Sequence, residues 1–582
     1  MNTLRSLTPH RYRSRHTGAT RGSGLSRIVC LVALFVIFAA SMRAQYPVTP
    51  SSFPDKNFYS VVLKNYSMFN GTYYQTVSVP AMDVKSCNIA DLTGIGLFPI
   101  LQTLDCSNNQ LTSVNLSYNA ILTTVTIYKN KLRGTNMDNF ISNLFDRSGQ
   151  ATKGELRIIY NEDASTGNQM TTEQVAAAKK KGWTPKQSTN GTTWTDYPGV
   201  VLINSKNFPD SKFQAWLKTK TYGQDGVLTP SEIAGVTSID VRDEAISDLT
   251  GINYFTALTE LDCSFNKLTT LDVSKNTALT ELGCSYNQLT NLDVSGCTAL
   301  TKLACYNNQL TNLDVSKNTA LTELECSSNQ LTNLDVSGCT ALTELDCFGN
   351  QLTNLDVSKN TALTELVCSY NQLTDLDVSK NTKLTELYCS GNQLTDLDVS
   401  KNTALTELNC SSNQLTDLDV SDCTALTELY CGGNQLSDLD VSKNTALTEL
   451  GCNNNQLHGA AVNKLINSLP ETTEAALYFY YNEKPDGNEI TTAQVAAAKK
   501  EKGWTTYYWN NSIYNWLPYE GISITAGDLN NDSKIDAADV ALLISYLTNP
   551  EAFEGEELAL DVNADGVVDD KDLDELVNNI LK

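Results

Sequence analysis

Histidine is nearly missing from this chain. Three occur in 582 residues, and His10 and His16 stand ahead of an apolar N-terminal run, leaving His458. A Ser-His or Cys-His nucleophile pair would have to use that one side chain. Histidine-rich zinc sites are excluded. Cysteine is plentiful at 16 residues, yet no C-x-x-C metal-ligand spacing occurs. Positive charge is also scarce, with 42 Lys and Arg against 66 Asp and Glu and a net charge of −24. Such a chain is unsuited to nucleic acid or an anionic membrane and suited to calcium and basic partners.

Long apolar runs are lacking as well. Ile28 to Ala40 is a run of 13 residues, too short for a hydrocarbon core of ~30 Å. Six arginines and no acid precede it, and Ser41-Met42-Arg43-Ala44-Gln45 follows. This is the form of a secretory signal over residues 1–44, cut after Ala44. Its removal takes seven arginines and moves the net charge from −24 to −31. The mature chain is then expected outside the cell or at the cell surface, with no membrane insertion.

What the chain has is a repeat. Cys263, Cys284, Cys305, Cys326, Cys347, Cys368, Cys389, Cys410, Cys431 and Cys452 are each 21 residues apart, with an asparagine three residues after each. The unit reads L-T-x-L-x-C-x-x-N-Q-L-T-x-L-D-V-S-x-N-T-A. Leu324 and Cys326 alternate with Glu323 and Glu325, the period of a strand. One short strand per repeat would stack into a parallel sheet, with leucines inside and buried asparagines bonded to turn backbone. A single rung cannot bury its own core, so the rungs need neighbours and caps.

The phrase L-x-x-L-x-C-x-x-N resembles the leucine-rich repeats, and among them the cysteine-ladder internalins of bacteria, over about residues 199–518. That implies a repeat solenoid and an adhesin-type binding role. In such a rung the cysteine takes an inward position that leucine usually holds. Neighbouring strands lie ~4.8 Å apart, whereas a relaxed disulfide wants Cβ atoms ~3.8 Å apart. The ladder therefore reads as reduced packing thiols. Cys297, Cys339 and Cys423 replace the second asparagine of their units and read as interior turn residues.

The chain is also duplicated. "SSFPDKNF" (51–58) matches "KNFPDSKF" (206–213), and "GNQMTTEQVAAAKKKGW" (167–183) matches "GNEITTAQVAAAKKEKGW" (487–504). A short first module spans 45–198, with rungs around Cys106 and Ile127, and a main module spans 199–518. Thr171-x-x-Gln174 and Thr491-x-x-Gln494 are capping boxes expected to start helices at Val175 and Val495. "LRIIY" (156–160) and "LYFYY" (477–481) are expected to close the sheet edges. "DGVLTPSEI" (225–233) has the Asp, Gly and Glu of a calcium loop, but Thr221 and Gly223 stand at its first two ligand positions, so it reads as a cap without an ion.

After Tyr519 the repeat stops. Asp528, Asn530, Asp532, Asp536 and Asp539, with the Lys534 carbonyl, occupy the ligand positions of a calcium loop. Asp561, Asn563, Asp565, Asp569 and Asp572, with the Val567 carbonyl, repeat the pattern 33 residues on. A hard cation needs this many converging oxygens, so two Ca²⁺ ions are expected. Each loop feeds a helix with one apolar face: Val540, Leu543, Ile544, Leu547 and Leu573, Leu576, Val577, Ile580. The paired loops over 521–582 resemble a type I dockerin, a small all-α calcium-binding domain. The resemblance implies docking onto a cohesin-like scaffold partner. It also makes Ala537-Ala538 and Asp570-Lys571 the partner-reading positions, although the two pairs match neither each other nor the common Ser-Thr pair.

In the array, departures from the repeat mark candidate contacts. Tyr388 and Tyr430 stand just before the ladder cysteine, and Phe265, Tyr286, Tyr306, Phe348 and Tyr370 just after it. Packing does not dictate outward aromatics, so these are ligand-face candidates for a protein or a glycan. The column Glu260, Glu281, Glu323 to Glu449 reads as a solvated acidic face, and the column Asp272 to Asp440 as structure neutralised by nearby lysines. The resulting reading is an exported, non-catalytic binding protein with a calcium-dependent docking tail. The rivals are a spacer in a secreted assembly and a polysaccharide-processing protein, which would need a catalytic carboxylate pair in a pocket.

Overall fold

A computed structural model describes residues 46–161, 167–480, 487–511, 515–521, 535, 537–548, 562 and 569–581. The leader expected over residues 1–44 lies outside them, as do Asp528, Asn530, Asp532, Lys534, Asp536, Asp561, Asn563, Asp565 and Val567. Of the described residues, those from Tyr46 to Leu202 with Asp225–Pro230 form one compact unit, and Ile203–Gln224 with those from Ser231 onwards form another.

In the second unit each rung gives one three-residue strand, from Glu260–Asp262 to Glu449–Gly451. Neighbours pair parallel and in register: Leu324 lies beside Leu345, and Leu345 beside Leu366. The sheet has 14 strands. The repeat forms it because Leu321, Leu324, Cys326, Leu331, Leu334 and Val336 of one unit are all buried. Each large aliphatic side chain removed from water contributes about 1.5–3 kcal/mol.

The first asparagine of each unit is a rivet. Asn308 Nδ2 donates to the carbonyls of Cys284 at 3.0 Å and Cys305 at 3.1 Å, while its Oδ1 accepts from Leu289 N at 2.9 Å. The second asparagine works differently. Asn318 Nδ2 donates to Val294 and Cys297 carbonyls at 3.0 and 2.8 Å, and its buried Oδ1 has no partner. Cys297, in the same place one rung earlier, sets its Sγ 3.6 Å from the Val273 and Asn276 carbonyls.

The caps depart from expectation in two ways. Both capping boxes form, but the helices begin inside them, directly after the capping threonines, at Thr172 and Thr492. The boundary falls earlier because the capped residues themselves take helical geometry. Nor do "LRIIY" and "LYFYY" end their sheets. Gly154–Tyr160 is followed by Trp183–Ser188 and Thr195–Asp196, and Ala475–Tyr480 by Trp504–Asn510 and Asn515–Pro518. The last strand of each sheet runs antiparallel. Val227–Leu228 pairs with Val201–Leu202, and Asp225 Oδ1 accepts from Val227 N at 3.0 Å.

The first unit holds a six-stranded sheet, with the strands Thr103–Asp105 and Thr124–Thr126 at the predicted rungs. At the C-terminus, helices Ala537–Thr548 and Asp570–Leu581 pack together. Leu543, Val562 and Leu576 are buried between them, with Val540, Leu547, Leu573 and Ile580 alongside. Ile544 is 45% exposed, and Tyr546 joins the cluster instead. Among the described residues, no helix is long and apolar enough to cross a membrane.

Candidate binding face and calcium loops

Because Leu faces in at the middle of each three-residue strand, its two neighbours face out. The column before it carries Glu344, Glu365, Glu386, Glu407, Glu428 and Glu449. Burial, then the neighbouring carboxylates, raise Glu365 and Glu407 above the usual carboxylate range, and burial and Asp346 do the same to Glu325. Cations cluster at the other end. Lys302 pairs with Glu323 at 2.7 Å, and Arg242 with Asp240 at 2.8 Å and Asp262 at 3.4 Å. These charges line a groove of about 360 Å³ over the first rungs, opened by the small outward residues Gly283 and Ala304. No ion pair to the glutamates from Glu344 to Glu449 is found among the described residues.

The candidate aromatics separate into two sets. Phe265, Tyr286 and Tyr370 have φ of 57°, 51° and 54°. Their column holds Asn307, Ser328, Gly349, Gly391, Ser412, Gly433 and Asn454 in the other rungs, all with positive φ. An aromatic residue there costs roughly 1–2 kcal/mol of left-handed strain. The rings are nonetheless outside: Phe265 is 50% exposed and Tyr370 61%. Phe265 stacks on Tyr286 with centroids 4.3 Å apart, Tyr286 meets Tyr306 edge-on, and Phe348 meets Tyr370 at 5.2 Å. Strain accepted for no burial is a mark of use.

Tyr388 and Tyr430 instead stand on the strands, half-buried among the glutamates. The Tyr388 hydroxyl donates to Glu386 at 3.1 Å; that of Tyr430 lies 3.1 Å from Glu428 and 2.6 Å from Glu449. Burial and these carboxylates push both phenols far up. Gly451 is what lets the Tyr430 ring lie over the next strand, since a Cβ there would sit 2.8 Å from Tyr430 Cδ1.

Sequence reasoning missed the continuation of this row. Tyr430 stacks towards Tyr478 at 6.5 Å, and Tyr478 meets Tyr507 at 5.7 Å and Trp516 at 4.7 Å. The aromatic runs of "LYFYY" (477–481) and "TYYWN" (506–510) carry the signal, but the first is expected only to close a sheet edge and the second is given no role by its sequence. The Asp column is structural for a different reason than its lysines. Asp272 Oδ1 accepts from Ser274 N at 3.0 Å, and Asp314 from Ser316 N at 2.9 Å. These serine bonds, ahead of Lys275 and Lys317, hold the carboxyls low.

Of the residues expected to be ligands in the C-terminal loops, Asp539, Asp569 and Asp572 lie among the described residues. Asp539 and Asp572 are 0% exposed, each in the first turn of its helix. Asp572 Oδ2 accepts from Asp569 N at 2.8 Å. Ala537 and Asp570 open the two helices, and Lys571 Nζ reaches Asp569 Oδ2 at 3.1 Å.

Comparison with known proteins fits both halves. The family model "Leucine Rich repeats (2 copies)" matches residues 319–360, 361–402 and 403–444, and "Dockerin type I domain" matches 526–581. The chain thus carries leucine-rich repeats similar to those of the internalins and a C-terminal match to a type I dockerin domain. Internalin J of Listeria monocytogenes is 48% identical over 70 residues, which are 12% of this chain and 8% of that relative. The solved functional domain of InlJ from Listeria monocytogenes, which includes a cysteine ladder, is 38% identical, covering 53% of this chain and 67% of that one with a TM-score of 0.47. An internalin (inlF) of the same species is 24% identical over 53% of this chain and 97% of its own, with a TM-score of 0.42. In this internalin-like array the nine ladder cysteines from Cys263 to Cys431 are buried and free, as are Cys297, Cys339 and Cys423, and Cys452 is buried as well.

Proposed function

We propose that the chain is an exported, non-catalytic binding protein of adhesin type. Its main repeat array presents the strand face and the adjoining turn aromatics to a protein or glycan. The dockerin domain tethers it, through calcium, to a cohesin-like scaffold at the surface. The observation that carries this reading is the exposed aromatic set in left-handed turns, which the fold neither needs nor buries.

The C-terminal donors fit a hard cation. Two buried carboxylates, Asp539 and Asp572, sit at the last ligand position of loops whose other ligands are all oxygens. Asp528, Asn530, Asp532, Asp536 and the Lys534 carbonyl would complete one site, and Asp561, Asn563, Asp565, Asp569 and the Val567 carbonyl the other. Calcium there would cross-link each loop to its helix and fix Ala537-Ala538 and Asp570-Lys571 on the docking surface.

The test is to present the full chain to surface and secreted proteins of its source, with calcium and with chelator. A calcium-dependent partner retained by residues 521–582 supports tethering. Loss of a repeat-face ligand on changing Tyr286, Tyr370, Tyr388 or Tyr430 to alanine supports adhesion. A ligand indifferent to all four would favour a spacer.

A further inference from the structure

The duplicated caps can be laid on each other residue by residue. Arg157 follows Thr126 across the first sheet as Tyr478 follows Gly451 across the second. Lys186 pairs with Arg157 as Tyr507 pairs with Tyr478. Trp194 and Trp516 stand one residue before Thr195 and Leu517, which pair with Gln187 and Tyr508.

In the first unit this cap covers its aromatic rings with its own cations. Arg157 lies over the Trp194 ring, 5.3 Å from the centroid, and Lys129 over Tyr160 at 4.2 Å. Lys186 bonds Asp196 at 2.8 Å. In the second unit tyrosines replace the cations Arg157 and Lys186, and Lys129 becomes Asn454. Trp516 is kept. Among the described residues, no cation lies over Tyr430, Tyr478, Tyr507 or Trp516. A carboxylate stands at the edge of this platform: Glu449 accepts from Tyr430 at 2.6 Å and lies 3.5 Å from the Tyr478 hydroxyl.

We infer that the half-buried platform Tyr430, Tyr478, Tyr507 and Trp516, with Glu449, takes an arginine or lysine side chain from a basic segment of the partner protein. The inference rests on the strand face being a binding surface and names the chemistry of what it binds. Ring faces attract a guanidinium or ammonium, and Glu449 with its column supplies the counter-charge. The first unit shows the same scaffold holding that chemistry within one chain. A neutral glycan would stack on the rings and could donate hydroxyls to the glutamates, but it would leave the charge of their column uncompensated.

The experiment uses the full calcium-loaded chain, titrated by calorimetry with hepta-arginine, with hepta-citrulline and with a neutral hexasaccharide. Hepta-arginine should bind in a salt-dependent way and hepta-citrulline at least tenfold more weakly. Tyr478→Arg rebuilds the first unit's arrangement and should weaken hepta-arginine binding tenfold or more; Trp516→Ala should do the same. Val367→Arg adds the same charge to the same outward column three strands from Tyr430 and should change binding less than threefold. Thermal unfolding checks that each variant is folded. Equal losses in Tyr478→Arg and Val367→Arg would overturn the inference, reducing it to general charge attraction. Binding of the hexasaccharide in preference to hepta-arginine, lost in Trp516→Ala, would overturn it while leaving the binding-face reading intact. No binding of any probe to the face would count against both.

Discussion

Asn329 Nδ2 donates to the Cys305 carbonyl one rung back, at 3.0 Å, and to the Cys326 carbonyl of its own rung at 3.1 Å. Its Oδ1 accepts from Leu310 N at 2.9 Å. One side chain thus satisfies backbone groups in adjacent rungs. Each buried group orphaned by its loss costs about 1–3 kcal/mol. Asn329→Ala should therefore destabilise the array by at least about 3 kcal/mol, read by denaturant unfolding. A cost below 1 kcal/mol, roughly that of one ordinary net hydrogen bond, would refute the rivet.

The second asparagine ladder should be more forgiving. Asn360 uses only its Nδ2, on the Val336 and Cys339 carbonyls, and its Oδ1 is idle. Cys339 already stands in that column one rung before. Asn360→Cys should change stability by no more than about 1 kcal/mol, whereas Asn350→Cys should cost several times that.

The ladder thiols set an alkaline limit. Burial pushes Cys305 and Cys410 up from 9.0 to about 12, and Cys326 and Cys368 well up. A raised folded value means that stability is complete below pH 9 and drains away between pH 9 and the folded value. The loss is up to about 1.4 kcal/mol per thiol for each pH unit. Unfolding should set in steeply above pH 9, and replacing ladder cysteines with alanine should flatten that slope. Native protein should also resist thiol alkylation at pH 8 everywhere in the ladder.

The glutamate face should be strained at neutral pH. Glu365 and Glu407 are raised, first by burial and then by neighbouring acids. Their protonated forms are therefore favoured by folding at low pH, and that contribution is lost as pH rises through the folded value. Glu365→Gln should raise the melting temperature at pH 7 and leave it unchanged at pH 3. An equal shift at both would show that charge is not the cause.

Calcium should act on the C-terminal helices alone. Asp572→Asn leaves the side chain's size but removes a carboxylate from the second loop. Calcium binding at that loop should weaken at least about tenfold, with the array's own melting transition unmoved. Calorimetric titration of the full chain checks the first part and thermal scanning the second.

Much of this was written in the repeat itself. A fixed period with Leu, Cys and Asn in phase leaves one arrangement in which every rung hides its apolar residues and satisfies its turns, so the parallel sheet and its register follow from the sequence alone. The dockerin match over 526–581 is equally legible, because the spacing that marks it is local. The order of strands at the caps was not legible. "TPKQS" and "TTYYWN" lack alternating aliphatic residues and become strands only because an exposed sheet edge is there to receive them.

Tertiary structure also decided which side chains keep company. Sequence could place Tyr430 on a strand and Tyr478 in a cap. Only the stacking of rungs, with Gly451 clearing the space between, brings their rings together around Glu449. Identity and spacing along the chain fix what each rung is. What two rungs form between them depends on distances across the sheet, which no one-dimensional period contains.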